Sequence, residues 1–153
     1  MNTEKFIANG WTADLPDSWE DRSTITLVGE TDAKGFASNI VVTRENVEPQ
    51  TSLEEYAALQ AAMMRQQLGE LQILDERAVE INGAPAFQRL QRFAVDGGGG
   101  GGQIIQQVQT FFLAEFLAEK IVFTVTGTAT VESFDRSIPA FKRFVETFRF
   151  NRQ

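Results

Sequence analysis

The sequence has no cysteine and no histidine, one tyrosine, four prolines and no long apolar run. Without cysteine there is no disulfide framework, no thiol for lipid attachment and no thiol nucleophile. Without histidine the usual Ser-His-Asp and Cys-His catalytic arrangements are lost, as are the usual zinc, copper and non-haem iron sites. No stretch of about 18 apolar residues occurs, so no membrane-spanning helix is expected. The opening residues Met1 to Lys5 lead into no apolar core. That predicts no signal peptide and, by default, a cytoplasmic address.

What is present describes one ordinary globular domain over residues 1–153. The chain is 42% hydrophobic and 23% charged, a balance that argues against global disorder. Its net charge of −7 repels phosphate backbones and disfavours nucleic acid as a partner. The basic residues are scattered through the chain, apart from a C-terminal group of Lys142, Arg143, Arg149 and Arg152. A solvated helix face accounts for that group.

Pattern reading predicts an α+β fold, an antiparallel sheet of about six or seven strands with two main helices. A short hairpin is expected over 4–8 and 11–15 around Asn9-Gly10, then strands at about 23–28 and 38–44. Ser52 and Glu55 form a capping box that opens a helix, which Gly69 ends. Its apolar stripe gathers Leu53, Tyr56, Ala57, Met63, Met64 and Leu68, with Gln60 and Gln67 inside it. Further strands are expected at about 71–80, 84–95, 103–116 and 120–129, with Asn82-Gly83 as a hairpin turn. The six glycines at 97–102 lack the lysine and the strand-to-helix setting of a phosphate cradle, so they read as a floppy hairpin tip. A second helix runs from Phe134 to Phe148 with Pro139 in its first turn, and Arg149-Phe150 is a candidate edge strand.

One helix-covered side and one open side of the sheet follow from this reading. Ile121, Phe123 and Val125 belong against the helices. The other face collects Thr24, Thr26, Val41, Thr43, Thr124 and Thr126, and Gln107 and Gln109 share its parity. Gln60, Gln107 and Gln109 sit among apolar neighbours. Such amides either satisfy strand ends and water or serve a partner's polar groups. Asp17, Glu20 and Asp21 do not match the spacing of a calcium loop. No cofactor and no catalytic residue is expected, although paired carboxylates could in principle act if a cleft brought two together.

Several segments together resemble DcrB/PsbP-like domains. Leu15-Pro16-Asp17-Ser18-Trp19-Glu20-Asp21-Arg22-Ser23 is similar to their opening motif, and Asn39 to Arg44 to the strand after it. Tyr56 to Gln60, Gln66-Gln67-Leu68 and the ending from Phe134 through Pro139-Ala140-Phe141 to Phe148 follow the same order. Within that superfamily the chain looks most like the Eag chaperones of bacterial type VI secretion. The resemblance implies a homodimer whose sheet forms a groove for the N-terminal transmembrane helices of a secreted effector. By position, its partner-facing residues would be Gln60, Gln109 and Val41, with Thr24 and Thr26 where the family more usually has apolar side chains. A regulatory or scaffold module on the same fold is the alternative.

Overall fold

A computed structural model describes residues 5–95, 102–116 and 118–150. Glycines 97–101, and with them most of the expected glycine tip, lie outside the described residues.

Two sheets are present, a two-stranded hairpin of β1 (Lys5–Ala8) and β2 (Trp11–Asp14), and a six-stranded antiparallel sheet. The large sheet contains β3 (Thr24–Thr31), β4 (Ala37–Asn46), β5 (Gln72–Ile81), β6 (Ala84–Val95), β7 (Gln103–Phe116) and β8 (Glu119–Thr130). Their spatial order is β3-β4-β8-β7-β6-β5. Helix α1 (Leu53–Leu68) connects β4 to the far edge strand β5, and α2 (Val131–Thr147) follows β8. The α+β expectation holds.

Turn chemistry sets the strand ends. Asn82 and Gly83 both take positive φ, 54° and 78°, as a two-residue hairpin turn requires. The Asn82 side chain then leaves the turn, its Nδ2 donating to the carbonyls of Glu146 at 2.9 Å and Phe148 at 3.4 Å. One turn thereby closes the β5–β6 hairpin and caps the end of α2. At the other end of α2, Asp32 in the β3–β4 turn accepts from the Thr130 hydroxyl at 2.7 Å. That bond, with those from the Phe36 and Lys34 amides, holds the Asp32 carboxyl below the usual range. Helix α1 starts as expected, with Ser52 Oγ accepting from Glu55 N–H at 3.1 Å, and Gly69 at φ 84° ends it.

The helices lie on opposite faces, which corrects the expectation of a sheet covered on one side. Leu53, Tyr56 and Ala57 of α1 pack with Phe87, Phe111 and Val122. Those three strand residues have the opposite parity to Phe112, Val125 and Ala86, which pack with Val145 of α2. Topology gives the reason. α1 must cross over β8, β7 and β6 to deliver the chain to β5, so it roofs one face, while α2 folds back from β8 over the other.

Three smaller expectations also change. Helix α2 begins at Val131, so Pro139 sits inside it and not in its first turn. The missing N–H is tolerated because Asp135, four residues earlier, is exposed and its carbonyl can turn to water. Residues 148–150 form no strand. Instead the Phe150 ring closes on Phe112, Phe123 and Phe148, with ring centres 5.3–6.1 Å apart. In α1, Met63 and Leu68 are 48% and 39% exposed, and Gln67 is exposed rather than inside a buried stripe.

On the α2 side Gly127 lies in close contact with the Phe141 ring. A Cβ built there would lie 2.5–2.8 Å from three ring atoms of Phe141. Overpacking of this kind costs about 1–3 kcal/mol. Gly127→Ala should therefore lower unfolding stability in urea by about that amount, and Phe141→Leu in the Gly127→Ala background should recover part of the loss.

Candidate functional site

Strand pairing arranges the α1-side residues into rows that run across five of the six strands, from β3 to β6. One row runs Thr26, Val41, Thr126, Gln109, Arg89. The next runs Val28, Asn39, Thr128, Gln107, Gln91. A third, on the other side of the first, runs Thr24, Thr43, Thr124, Phe111, Phe87. Three of the five expected partner-facing residues, Thr26, Val41 and Gln109, thus share one row, and Thr24 lies in the adjacent one.

The two polar rows are wired internally from β6 to β8. Gln109 Oε1 accepts from Arg89 Nε at 3.3 Å and Nη2 at 3.1 Å, and Gln109 Nε2 donates to Thr126 Oγ1 at 3.4 Å. Gln91 Nε2 donates to Gln107 Oε1 at 2.7 Å, and Gln107 Nε2 to Thr128 Oγ1 at 3.1 Å. Gln109 is only 8% exposed, so its amide serves this network.

Arg89 is the residue that sequence reading missed. It stood there as one of several scattered cations, yet it is 1% exposed. Its Nη1 donates to the Ala57 carbonyl in the second turn of α1 at 2.6 Å and lies 3.6 Å from Glu76 Oε2. The guanidinium carbon also stands 5.2 Å from the centre of the Phe111 ring. Burial lowers its pKa, with the Glu76 carboxylate opposing that shift. An arginine nevertheless stays charged. The signal that could have revealed it is the register, which sets Arg89 opposite Gln109 on the face of Phe87 and Phe111.

Helix α1 covers only the β6–β7 side of these rows. Tyr56 fixes which flank of the helix faces the rest. It packs edge-on against Phe111, ring centres 5.9 Å apart, and its hydroxyl faces the side of Thr124 on β8 and Glu45 on β4. At about 100° per residue, Gln60 and Met63 lie within about 40° of Tyr56 around the helix and so share that flank. Gln60 is half-buried there and Met63 half-exposed. Beyond them the sheet opens. Thr126, Val41, Asn39 and Thr43 are partly covered, and Thr24, Thr26 and Val28 on β3 are exposed. No ammonium or carboxylate occurs among these strip residues. By contrast Thr124, expected on an open face, is only 7% exposed, as is Thr128 on the same strand.

Among the described residues no three His, Cys, Asp or Glu side chains are placed to hold a metal ion. No helix in that part of the chain is long and apolar enough to cross a membrane.

The DcrB family profile matches residues 12–147. The chain belongs to the DcrB family. Among solved structures it is similar to PA94 of Pseudomonas aeruginosa, a protein of unknown function, at 17% identity and a TM-score of 0.77 over the full length of both chains. It is also similar to LpqN of Mycobacterium tuberculosis, involved in cell envelope biogenesis, at 11% identity and a TM-score of 0.56, covering 86% of this chain and 85% of that one. The cyanobacterial PsbP of Synechocystis sp. PCC 6803 aligns over 93% of this chain and 88% of its own at 11% identity and a TM-score of 0.48. No curated protein matches by sequence. At these identities the likenesses to PA94 and LpqN establish the fold alone.

Two measurements test this DcrB-family site. Arg89→Leu should destabilise the protein by about 3 kcal/mol, because it leaves the Gln109 carbonyl buried without its donors. Glu76→Gln should cost under about 1 kcal/mol, since the Glu76 side chain is 40% exposed. Tyr56 is the sole tyrosine, so its ionisation can be read directly by ultraviolet absorbance. Burial, with the Glu45 carboxylate beside it, raises its pKa above the ordinary value. Native protein should therefore titrate well above pH 10 and the urea-unfolded chain near about 10. The stabilisation is complete below the unfolded value and is lost as pH rises toward the folded one.

Proposed function

We propose that this protein is a binding module, an Eag-like chaperone that shelters the N-terminal hydrophobic helices of a type VI secretion effector. The observation that carries the reading is the strip beside α1. It is a floor of valine, threonine and asparagine, without charge from Asn39 to Thr43 on β4 and from Thr24 to Val28 on β3, walled on one side by Gln60 and Met63. A transmembrane helix in water gains about 25 cal/mol for each Å² of apolar surface it buries. Its own small polar groups still need hydrogen-bond partners once lipid and water are both gone. Val41, Val28 and Met63 supply apolar contact, and Thr24, Thr26, Asn39 and Gln60 supply the polar partners. Gln109 acts from below, holding Thr126 in place.

Homodimerisation belongs to the same proposal. β3 is one of the two edge strands of the sheet and has no charged residue between Thr24 and Gly29. Its Ile25, Leu27 and Val28 are 55%, 46% and 69% exposed. Natural edge strands usually carry lysine, proline or a cover that blocks pairing, and this stretch has none.

Co-expression with an effector that begins with hydrophobic helices should give a complex that survives purification. Val41→Asp and Thr26→Asp should each weaken that complex at least tenfold while leaving the urea midpoint of the free protein nearly unchanged. Full retention of the complex by both variants would remove the strip from the binding surface. Retention only of clients that lack hydrophobic helices would favour a regulatory or scaffold module instead.

A further inference from the structure

The two edges of the large sheet differ in how they are guarded. β5 carries Asp75, Glu76, Arg77 and Glu80 and a bulge between Ile73 and Asp75, devices that block strand addition. β3 offers five uncharged residues, Thr24–Val28, ahead of its own irregularity between Val28 and Thr31. Alternation divides those five. Thr24, Thr26 and Val28 continue the strip, while Ile25 and Leu27 pair with Val42 and Ile40 on the α2 side. Beside them an open groove of about 440 Å³ lies between β3 and α2, lined by Leu27, Ile40, Ala140 and Phe141 together with Arg136 and Ser137. A second apolar surface also lacks a cover. In the β1–β2 hairpin Phe6 and Trp11 share one face, ring centres 5.1 Å apart. All of β2 is exposed, Trp11 to 56%, and the hairpin barely touches any other element. A two-stranded hairpin is at best marginally stable in water without packing.

A second copy of this chain fits both surfaces. A two-fold axis normal to the sheet pairs β3 with itself in the antiparallel sense and keeps α2-side residues opposite α2-side residues. Centred on Thr26, that register sets Ile25 opposite the partner's Leu27 and brings Glu30 level with the partner's Arg22, each contact occurring twice. Arg22 and Glu30 are both exposed. Centring on Ile25 instead would bring Glu30 level with the partner's Glu20, a like charge. Centring on Leu27 would leave Ile25 facing the partner's Gly29, which has no side chain to meet it. The Thr26-centred register also carries the partner's Thr24 to the Val28 end of β3, where the groove lies. The partner's hairpin enters at that end, because the segment before β3 is stapled to the α2 side of β4. Glu20 Oε1 accepts from the Asn46 backbone N–H at 3.1 Å, and Asp21 Oδ2 lies 3.5 Å from Arg44 Nη1. The chain's own hairpin leaves from the Thr24 end, about 23 Å along the strand from Thr31.

We propose that two copies of this chain pair through β3 in the Thr26-centred register, and that the hairpin of each covers the β3–α2 groove of the other. Ile25 and Leu27 are buried across the axis, Phe6 and Trp11 pack into the groove, and Arg22–Glu30 ion pairs close both ends. A five-residue strand pair alone falls short of the about 1,200–2,000 Å² of a stable interface, and two docked hairpins add to it. The strips of the two copies then meet at Thr24, Thr26 and Val28, so a client lying across the axis touches both. This deepens the homodimer half of the chaperone reading and rests on it.

Sedimentation of the full chain without a client tests the interface, and the wild-type protein should run as a dimer. Arg22→Glu and Glu30→Arg should each weaken the dimer about tenfold, and the double variant should regain most of the affinity. Thr26 is left unchanged, because it faces both the axis and the strip. The chain has two tryptophans, so Trp19→Phe leaves Trp11 as the only indole. In that background Trp11 emission should shift to the red as dilution separates the copies. Leu27→Asp should give a folded monomer with the same red-shifted emission. A monomeric wild-type chain would overturn the homodimer reading and this inference together. A dimer indifferent to both charge reversals, or not rescued by the double variant, would overturn the register while leaving the homodimer in place. Trp11 emission that stays blue in the monomer would put the hairpin on its own chain and overturn the exchange. Leu27→Asp leaves the strip side chains intact, so client capture by that protein reads the chaperone role separately.

Discussion

The guanidinium of Arg89 decides where helix α1 sits. It is buried on β6, next to the β5 edge of the sheet, and donates in two directions, to the Ala57 carbonyl above it and to the Gln109 amide beside it. A carbonyl oxygen has two lone pairs, so Ala57 can accept from the arginine and still serve its own helix. A buried arginine without such partners would be prohibitively costly. Every alternative height or rotation of α1 that strands the charge is therefore excluded. Packing follows the same line, with Leu53, Tyr56, Ala57 and Ala61 buried around the contact. Farther along, the helix loosens and exposes Met63 and Leu68. The pin lies on the β6 side of the sheet, and so the strip over β4 and β3 stays uncovered.

Much of the fold was legible because local chemistry and periodicity agreed. Strands β6 and β7 begin and end where alternation and the Asn82-Gly83 turn placed them, and Ser52 and Gly69 bound α1 at the predicted ends. The assignment of helices to faces was not legible. Strand alternation separates two faces but does not label them, and the crossover from β4 to β5 becomes visible only once the order of strands is known. Pro139 misled for a related reason. Proline favours first turns, yet on an exposed helix face the carbonyl it leaves unpaired has water to turn to.

The candidate site was legible in part. Threonine and glutamine parity correctly grouped Thr24, Thr26, Val41 and Gln109 on one face, and pairing puts three of them in a single row. Hidden from sequence was the division of labour along that row. Its inner end is a closed network and its outer end is open, a difference set by α1 and not by the strands. Arg89 was hidden for the same reason. A lone arginine in a strand reads as a surface charge until the residue opposite it is known.

This division changes what the strip offers. The hydroxyls of Thr126 and Thr128 already accept hydrogen bonds from the amides of Gln109 and Gln107. Each keeps one O–H donor, but the floor is less polar than its composition suggests, because part of that polarity is spent inside the sheet. Toward β3 no such network extends, and Thr24 and Thr26 retain their full hydrogen-bonding capacity. The open face thus grades from a pre-satisfied, more apolar floor beside the helix to a freely hydrogen-bonding rim at the edge strand. A partner segment with one greasy side and a few small polar groups is matched by that gradient. A uniformly apolar face of the same size would instead invite indiscriminate association.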